Sequence, residues 1–227
     1  MLMLRNTFIE LLKNYTDDDA LMDHLWNEIV EHYAAHNRYY HTMQNLDNLL
    51  LLLIDVKEKI RNWDAILFTL YYHDIIYDPL RSDNEEKSAD FAEERMKQIG
   101  VSNHVIDLCR KQILATKSHL ESTDSDTNYF TDADLSILGH AWEMYASYFE
   151  NVRKEYAIYS NSIYRVGRLK VLNHFLSKHC IYKTSYFQQK FEKQAQDNLQ
   201  NEVVQLEDDI AKLPIVLTST CTQKNYF

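Results

Sequence analysis

The chain has 227 residues, 45% of them hydrophobic and 12% aromatic, enough apolar material for a substantial core in one large domain or two small ones. Only 3 Gly and 2 Pro are present, so the many tight turns of a sandwich or barrel lack their usual residues and an all-α fold is expected. A formal charge of -10, from 24 basic and 34 acidic residues, argues against an extended nucleic-acid surface, and any anionic substrate would need a local basic pocket.

Cysteine usage bounds the compartment. Cys109, Cys180 and Cys221 are odd in number and lack C-x-x-C spacing, which points away from a disulfide framework or zinc ribbon and toward a reducing cytoplasm. The stretch 1–10 carries Arg5 and Glu10 and is too short in its apolar run for a signal peptide. No run reaches membrane-spanning length, so no membrane partner is expected.

In chain order, Asp17 to Tyr33 opens on acids and continues with Leu21, Leu25, Ile29 and Tyr33 at four-residue spacing, an amphipathic helix whose dipole is complemented. A second helix near His41 carries Leu46, Leu49, Leu50 and Leu53, and Arg61-Asn62 marks a turn before Trp63 opens a third, which Pro79 is expected to stop. Ser82 with Glu85 and Asp83 with Glu86 each match a capping box, opening a helix that Gly100 ends. Ser102 caps the next, with Val101 and Ile106 as its hydrophobic staple.

The segment Glu121 to Tyr129, rich in Ser, Thr, Asp and Asn, reads as an exposed loop before a helix capped by Thr131, with Asp134 in its first turn. Ile137, Ala141, Tyr145 and Tyr148 suggest a further helix. Another is marked by Ile163, Val166, Leu169, Leu172 and Leu176, and a long final stripe runs from Phe187 through Phe191, Ala195, Leu199, Val203 and Leu206 to Ile210. No internal repeat or low-complexity linker interrupts the chain. One domain over residues 1–213 with a tail over 214–227 is the expected organisation.

Chemistry concentrates at His73-Asp74, which closes the strongly apolar stretch Trp63 to Tyr72. With His41 upstream and Asp134 downstream it offers two imidazoles and two carboxylates, a mixed nitrogen and oxygen shell suited to manganese, iron, cobalt, nickel or zinc better than calcium. Such a cation lowers the pKa of a bound water and neutralises charge on a phosphoryl oxygen, both useful for phosphate ester cleavage. Each residue has a plainer reading beside this one. His73-Asp74 alone is more often a structural hydrogen-bonded pair, Asp134 and Glu85 each fit a capping box, and single histidines such as His41 and His119 are more often surface or satisfied core residues.

The set of His41, adjacent His73-Asp74 and distant Asp134 resembles the metal site of the HD superfamily. More narrowly, the chain resembles a bacterial family of predicted metal-dependent HD-domain phosphohydrolases of uncharacterised substrate. The likeness runs through Arg38-Tyr39-Tyr40-His41, His73 to Asp78, Asn84-Glu85, Ser88-Ala89 and Asp132-Ala133-Asp134-Leu135. It continues through Arg153-x-Glu155-Tyr156, Gly167-Arg168, Leu172 to Leu176 and Glu192 to Glu202. One departure stands at Asn45, where many relatives place a second histidine.

The resemblance implies a helical HD-type fold holding one or two divalent cations, magnesium included, with His41, His73, Asp74 and Asp134 as ligands. It further implies a site role for His119 and, through acidic residues after the His-Asp pair, a water-orienting or general-base role for Asp78, whose plainer role is a turn before Pro79. Asp74 and Glu85 complete the candidate catalytic set. Arg38, Arg81, Lys87 and Lys117 are the first candidates for substrate phosphate, with Arg153 and Arg168 behind them. The expected activity is hydrolysis of a nucleotide or related small-molecule phosphate ester by a cytoplasmic enzyme that is monomeric or oligomeric. A catalytically silent module that binds a nucleotide or protein partner as a sensor, and a helical scaffold without metal, are the alternatives.

Overall fold

The computed structural model describes residues 2–211, and within them all regular structure is helical, as composition requires. By their contacts the residues group into two compact units, Met1–Leu135 and Ser136–Phe227. The expected tail over 214–227, Cys221 included, lies outside the described residues. None of the described helices is long and apolar enough to cross a membrane.

The first unit contains α1 (Leu2–Leu12), α2 (Asp19–Tyr33), α3 (Met43–Asp55), α4 (Trp63–Tyr72), α5 (Asn84–Gln98), α6 (Asn103–Ala115) and α7 (Ser125–Asp134). Helix α4 is its centre, because every residue from Ala65 to Tyr72 is buried and α1, α3, α5 and α6 all pack on it. A helix apolar on all sides can only be an interior helix. Its start is held twice: the Asn62 side chain accepts from the Ala65 N–H, and the buried Asp126 carboxylate accepts from the Arg61 and Asn62 N–H groups. Those bonds satisfy donors that a helix N-terminus otherwise leaves open.

Several expectations are corrected. The pattern of residues 1–10 predicts no element, yet α1 buries Leu4, Phe8, Leu11 and Leu12, and the Tyr71 hydroxyl donates to the Leu4 carbonyl. Helix α4 ends at Tyr72 rather than near Pro79, since the next carbonyls turn away to bond Arg38 and Ser88. Helix α5 begins after Asp83, whose carboxylate pairs with Arg81 at 2.7 Å and makes no capping bond. The Thr131 cap does not exist: α7 already begins at Ser125, Asp124 caps it by accepting from the Thr127 N–H, and the buried Thr131 hydroxyl donates back to the Thr127 carbonyl. Polar composition suggests a loop there, but the side chains of Asp124 and Asp126 are spent on helix N-termini. Asp134 therefore closes a helix instead of opening one.

The second unit contains α8 (Trp142–Glu155), α9 (Asn161–Leu176) and α10 (Ser185–Ala211). Ile137 and Ala141 precede α8 instead of lying in it. Phe187, Phe191, Ala195, Leu199 and Val203 form the buried stripe of α10 as expected, and the Ile210 side chain at its far end lies outside the described residues. The buried face of α9 differs from the expected one: Ile163 and Val166 are exposed, while Tyr164, Gly167, Arg168, Leu172 and Phe175 point inward. Arg168 turns that face, for its guanidinium makes a bidentate pair with the buried Glu202 at 2.8 and 2.9 Å and reaches the Tyr148 hydroxyl at 3.2 Å.

Two outcomes test these assignments. Gly100 sits at φ 78 and ends α5 with its N–H on the Lys97 carbonyl and the Val101 N–H on the Met96 carbonyl. A Cβ added at Gly100 would meet no atom within 4 Å, so Gly100→Ala carries only the left-handed backbone penalty, about 1 kcal/mol in urea denaturation. Arg168→Ala leaves Glu202 buried without its partner and lowers unfolding free energy by about 3–5 kcal/mol, measured the same way.

Candidate metal centre

Four elements of the first unit deliver ionisable groups to one place. His41 stands just before α3, with the Tyr77 ring 4.2 Å away centroid to centroid. His73 and Asp74 follow the last turn of α4, Asp134 ends α7, and His119 lies in the turn after α6. His73 Nε2 is 3.3 Å from Asp74 Oδ2 and 3.7 Å from Asp134 Oδ1, His41 Nε2 is 3.9 Å from Asp74 Oδ2, and His119 Nε2 is 3.0 Å from Asp134 Oδ2. All four expected ligands and His119 are thus brought together.

Local bonds decide how each group faces. His73 is buried, and its Nδ1 lies 3.0 Å from the Leu70 carbonyl, which can only accept. Nδ1 therefore carries a proton and Nε2 is turned to the two carboxylates. His119 adopts φ 49, a left-handed conformation uncommon outside glycine, and aims its Nε2 at Asp134. A proton on that nitrogen makes His119 a support of the Asp134 carboxylate, the kind of outer partner that fixes a metal ligand's orientation.

Arg38 has a different place from the one its charge suggests. It is buried, and its guanidinium donates to the carbonyls of Asp74 at 2.7 Å, Ile75 at 2.9 Å and His41 at 3.3 Å. One side chain thereby ties the segment carrying His41 to the segment carrying His73 and Asp74. Tyr33, which closes α2, lies under the same guanidinium at 4.8 Å from its ring centroid.

The other expected residues divide. Glu85 is half-buried in the first turn of α5, and burial first, then the Asp74 and Glu86 charges, raise its pKa against the pull of Lys117. Lys117 Nζ bonds the Glu86 carboxylate and the Ser82 carbonyl, each at 2.6 Å, and stands 3.8 Å from Glu85. Asp78 builds a turn: its Oδ1 accepts from the Leu80 N–H while Asn84 brackets its backbone. Arg81 is exposed and paired with Asp83, and Lys87 is exposed on α5. Arg153 and Arg168 belong to the second unit, where Arg153 bonds the Tyr156 and Tyr159 carbonyls and the Asn161 side chain.

Electrostatics at the cluster follow from burial opposed by neighbours. Burial alone would lower the pKa of His73, but the Asp74 and Asp134 charges and the Leu70 carbonyl hold it up at about 9. Burial would raise Asp74, yet His73, His41 and Arg38 keep it well below the ordinary carboxylate range. The ion-free cluster at neutral pH thus pairs a His73 imidazolium with an Asp74 carboxylate.

The donor set suits a divalent cation. Ligands at about 2.1 Å from a common ion stand about 3.0–4.2 Å apart, and three pairings, His41 with Asp74, His73 with Asp74 and His73 with Asp134, fall in that span. His73 Nε2 is buried, and its contact with Asp74 Oδ2 at 3.3 Å is an ion pair without the alignment of a hydrogen bond. As the side chains stand the contacts run pairwise, and among the described residues no three or more His, Cys, Asp or Glu side chains close on one point.

Sequence reasoning missed Tyr33, whose place at the end of an apolar stripe makes it look like ordinary core. Its hydroxyl is buried in the field of Asp74, Asp134 and Arg38, near the Asp74 backbone but without a well-formed hydrogen bond. A buried unsatisfied hydroxyl costs about 1–3 kcal/mol. Tyr33→Phe is therefore expected to leave the thermal midpoint of ion-free protein unchanged or raised, and a clear fall in calorimetry would reveal a bond the hydroxyl makes. Comparison with known proteins returns no matching family model, no matching curated protein and no matching solved structure.

Proposed function

We propose that the chain is a metal-dependent phosphohydrolase acting on a nucleotide or related phosphate ester, with a divalent cation held by His41, His73, Asp74 and Asp134. The observation that carries this reading is the buried His73, whose Nδ1 faces the Leu70 carbonyl and whose Nε2 faces two carboxylates at 3.3 and 3.7 Å, with His41 beside one of them. Holding such charges where solvent barely reaches carries an effective penalty of several kcal/mol per ion, whereas a cation would satisfy the imidazole and both aspartates together.

When bound, such a cation would polarise a phosphoryl oxygen and lower the pKa of a water ligand. The chain's own residues supply the rest. His119 orients Asp134, and Arg38 holds the backbones of His41 and Asp74 in register. Glu85, with its pKa raised and within the field of Asp74, is better placed for proton transfer than Asp78, whose carboxylate is committed to a turn. Of the candidate phosphate contacts, Arg38 is spent on carbonyls, Arg81 on Asp83 and Lys117 on Glu86 and the Ser82 carbonyl, and Lys117 is the one of these three that also stands beside Glu85.

Protein purified without chelators is expected to hold stoichiometric divalent metal by elemental analysis and to release phosphate from some member of a phosphate ester panel. His73→Ala and Asp74→Ala should each lose both. His73 must shed its proton to act as a ligand, so cation affinity should rise with pH toward about 9. Full phosphatase activity in the double variant would overturn the reading. Bound metal with a nucleotide-dependent shift in melting temperature and no turnover would favour the sensor alternative.

A further inference from the structure

Charge around the metal centre limits the anion it can hold. The segments that build it, 38–42, 73–87 and 115–121 together with Asp134, carry 4 basic residues against 7 acidic ones, and one divalent cation does not cancel that difference. All four basic side chains already answer to local groups. Arg38 is buried on three carbonyls, Arg81 is paired with Asp83, Lys117 bonds Glu86 and the Ser82 carbonyl, and Lys87 lies in the field of Asp83.

A single terminal phosphoryl group, with about 1.5 to 2 negative charges at neutral pH, is matched by one divalent cation. A triphosphate brings further charged groups that need cations of their own, and the side chains able to reach them, Arg81 and Lys117, stand against Asp83, Glu85 and Glu86. Setting like charges against one another costs affinity.

What the surroundings offer instead is apolar surface. Each of three segments that carry site residues presents an exposed apolar side chain: Tyr39, 49% exposed, two residues before His41; Leu80, 62% exposed, whose N–H bonds the Asp78 carboxylate; and Leu120, 60% exposed, next to His119. The bond from Lys117 to the Ser82 carbonyl ties the turn before Leu120 to the loop that holds Leu80. The Tyr77 ring lies against the His41 imidazole at 4.2 Å, and the Tyr40 ring meets it edge-on at 5.0 Å. Single exposed apolar residues are ordinary, but several around one polar centre match the lining of a small-molecule site, where a few polar groups fix orientation.

We infer that the centre takes a phosphomonoester with one terminal phosphoryl group and an aromatic or apolar leaving group, such as an aryl phosphate or a nucleoside monophosphate, in preference to a nucleoside triphosphate or other polyphosphate. The inference rests on the metal-dependent reading above and narrows its substrate. In the reaction the oxygen of water bonds to phosphorus and the P–O bond to the leaving group breaks. One proton of that water ends on the released alcohol or phenol, and the other stays with phosphate.

The test uses the full chain at a fixed excess of manganese, with phenyl phosphate, adenosine monophosphate, glycerol 3-phosphate, adenosine triphosphate and inorganic tripolyphosphate. For phenyl phosphate and adenosine monophosphate, kcat/KM should exceed that for the other three by about tenfold or more, and the shifts in melting temperature should rank the same way. Asp83→Asn/Glu86→Gln should raise kcat/KM for the triphosphate about tenfold while changing that for phenyl phosphate little. Leu80→Ser/Leu120→Ser should raise KM for phenyl phosphate about tenfold and leave both KM for glycerol 3-phosphate and the melting temperature of the free protein unchanged. With turnover absent, the order of melting-temperature shifts alone decides. Metal-bound protein that takes the triphosphate or glycerol 3-phosphate as well as phenyl phosphate overturns the inference and leaves the metal-dependent reading standing. Protein that holds no metal and releases phosphate from no ester overturns that reading, and the inference with it.

Discussion

The first unit depends on how it tolerates ionisable groups where solvent barely reaches. His73 is buried, and Asp74, Asp134, His41 and His119 crowd within 4 Å of one another in pairs. Such a cluster is costly unless its charges are balanced and its dipoles are fixed. Arg38 answers both needs, since its charge lowers the pKa of Asp74 while its N–H groups hold the carbonyls of Asp74, Ile75 and His41. The end of α4, the approach to α3 and the floor beneath Tyr33 all follow from that single guanidinium.

A comparable device organises the second unit with a different result. Arg168 and Glu202 form a buried bidentate pair, extended by the Tyr145 hydroxyl donating to Glu202 and by Tyr148. Because α9 turns this face inward, Ile163 and Val166 are left outward and the basic residues near its end lie at the surface. Buried ion pairs are weak evidence for stability but strong determinants of which face packs. Here the pair overrode the aliphatic spacing that the sequence displays.

Much of the helical architecture was legible because apolar period and local capping act over a few residues. Ser102 caps α6 and Gly100 ends α5 as their positions predict, and Asp18 and Asn62 cap α2 and α4 by the same short-range chemistry at positions the pattern does not single out. The failures have two causes. Asp124 and Asp126 looked like loop residues and Thr131 like a cap, but Asp124 and Thr131 bond the backbone of α7 itself and Asp126 bonds the start of α4. Asp83 looked like a cap and is instead taken by Arg81. A side chain with two available partners cannot be assigned from spacing alone, whether the competing partner is local, as for Asp83, or remote, as for Asp126.

What the sequence by itself determined was the helical class and the residue types able to ligate a cation, since composition and local period suffice for these. Only tertiary structure decided that His41, His73, Asp74, Asp134 and His119 meet, that Arg38 serves the backbone and that Asp78 serves a turn. Those outcomes turn on distances between residues far apart in the chain. A polar side chain takes whichever partner the packed helices bring nearest, and that choice is made only when the core closes.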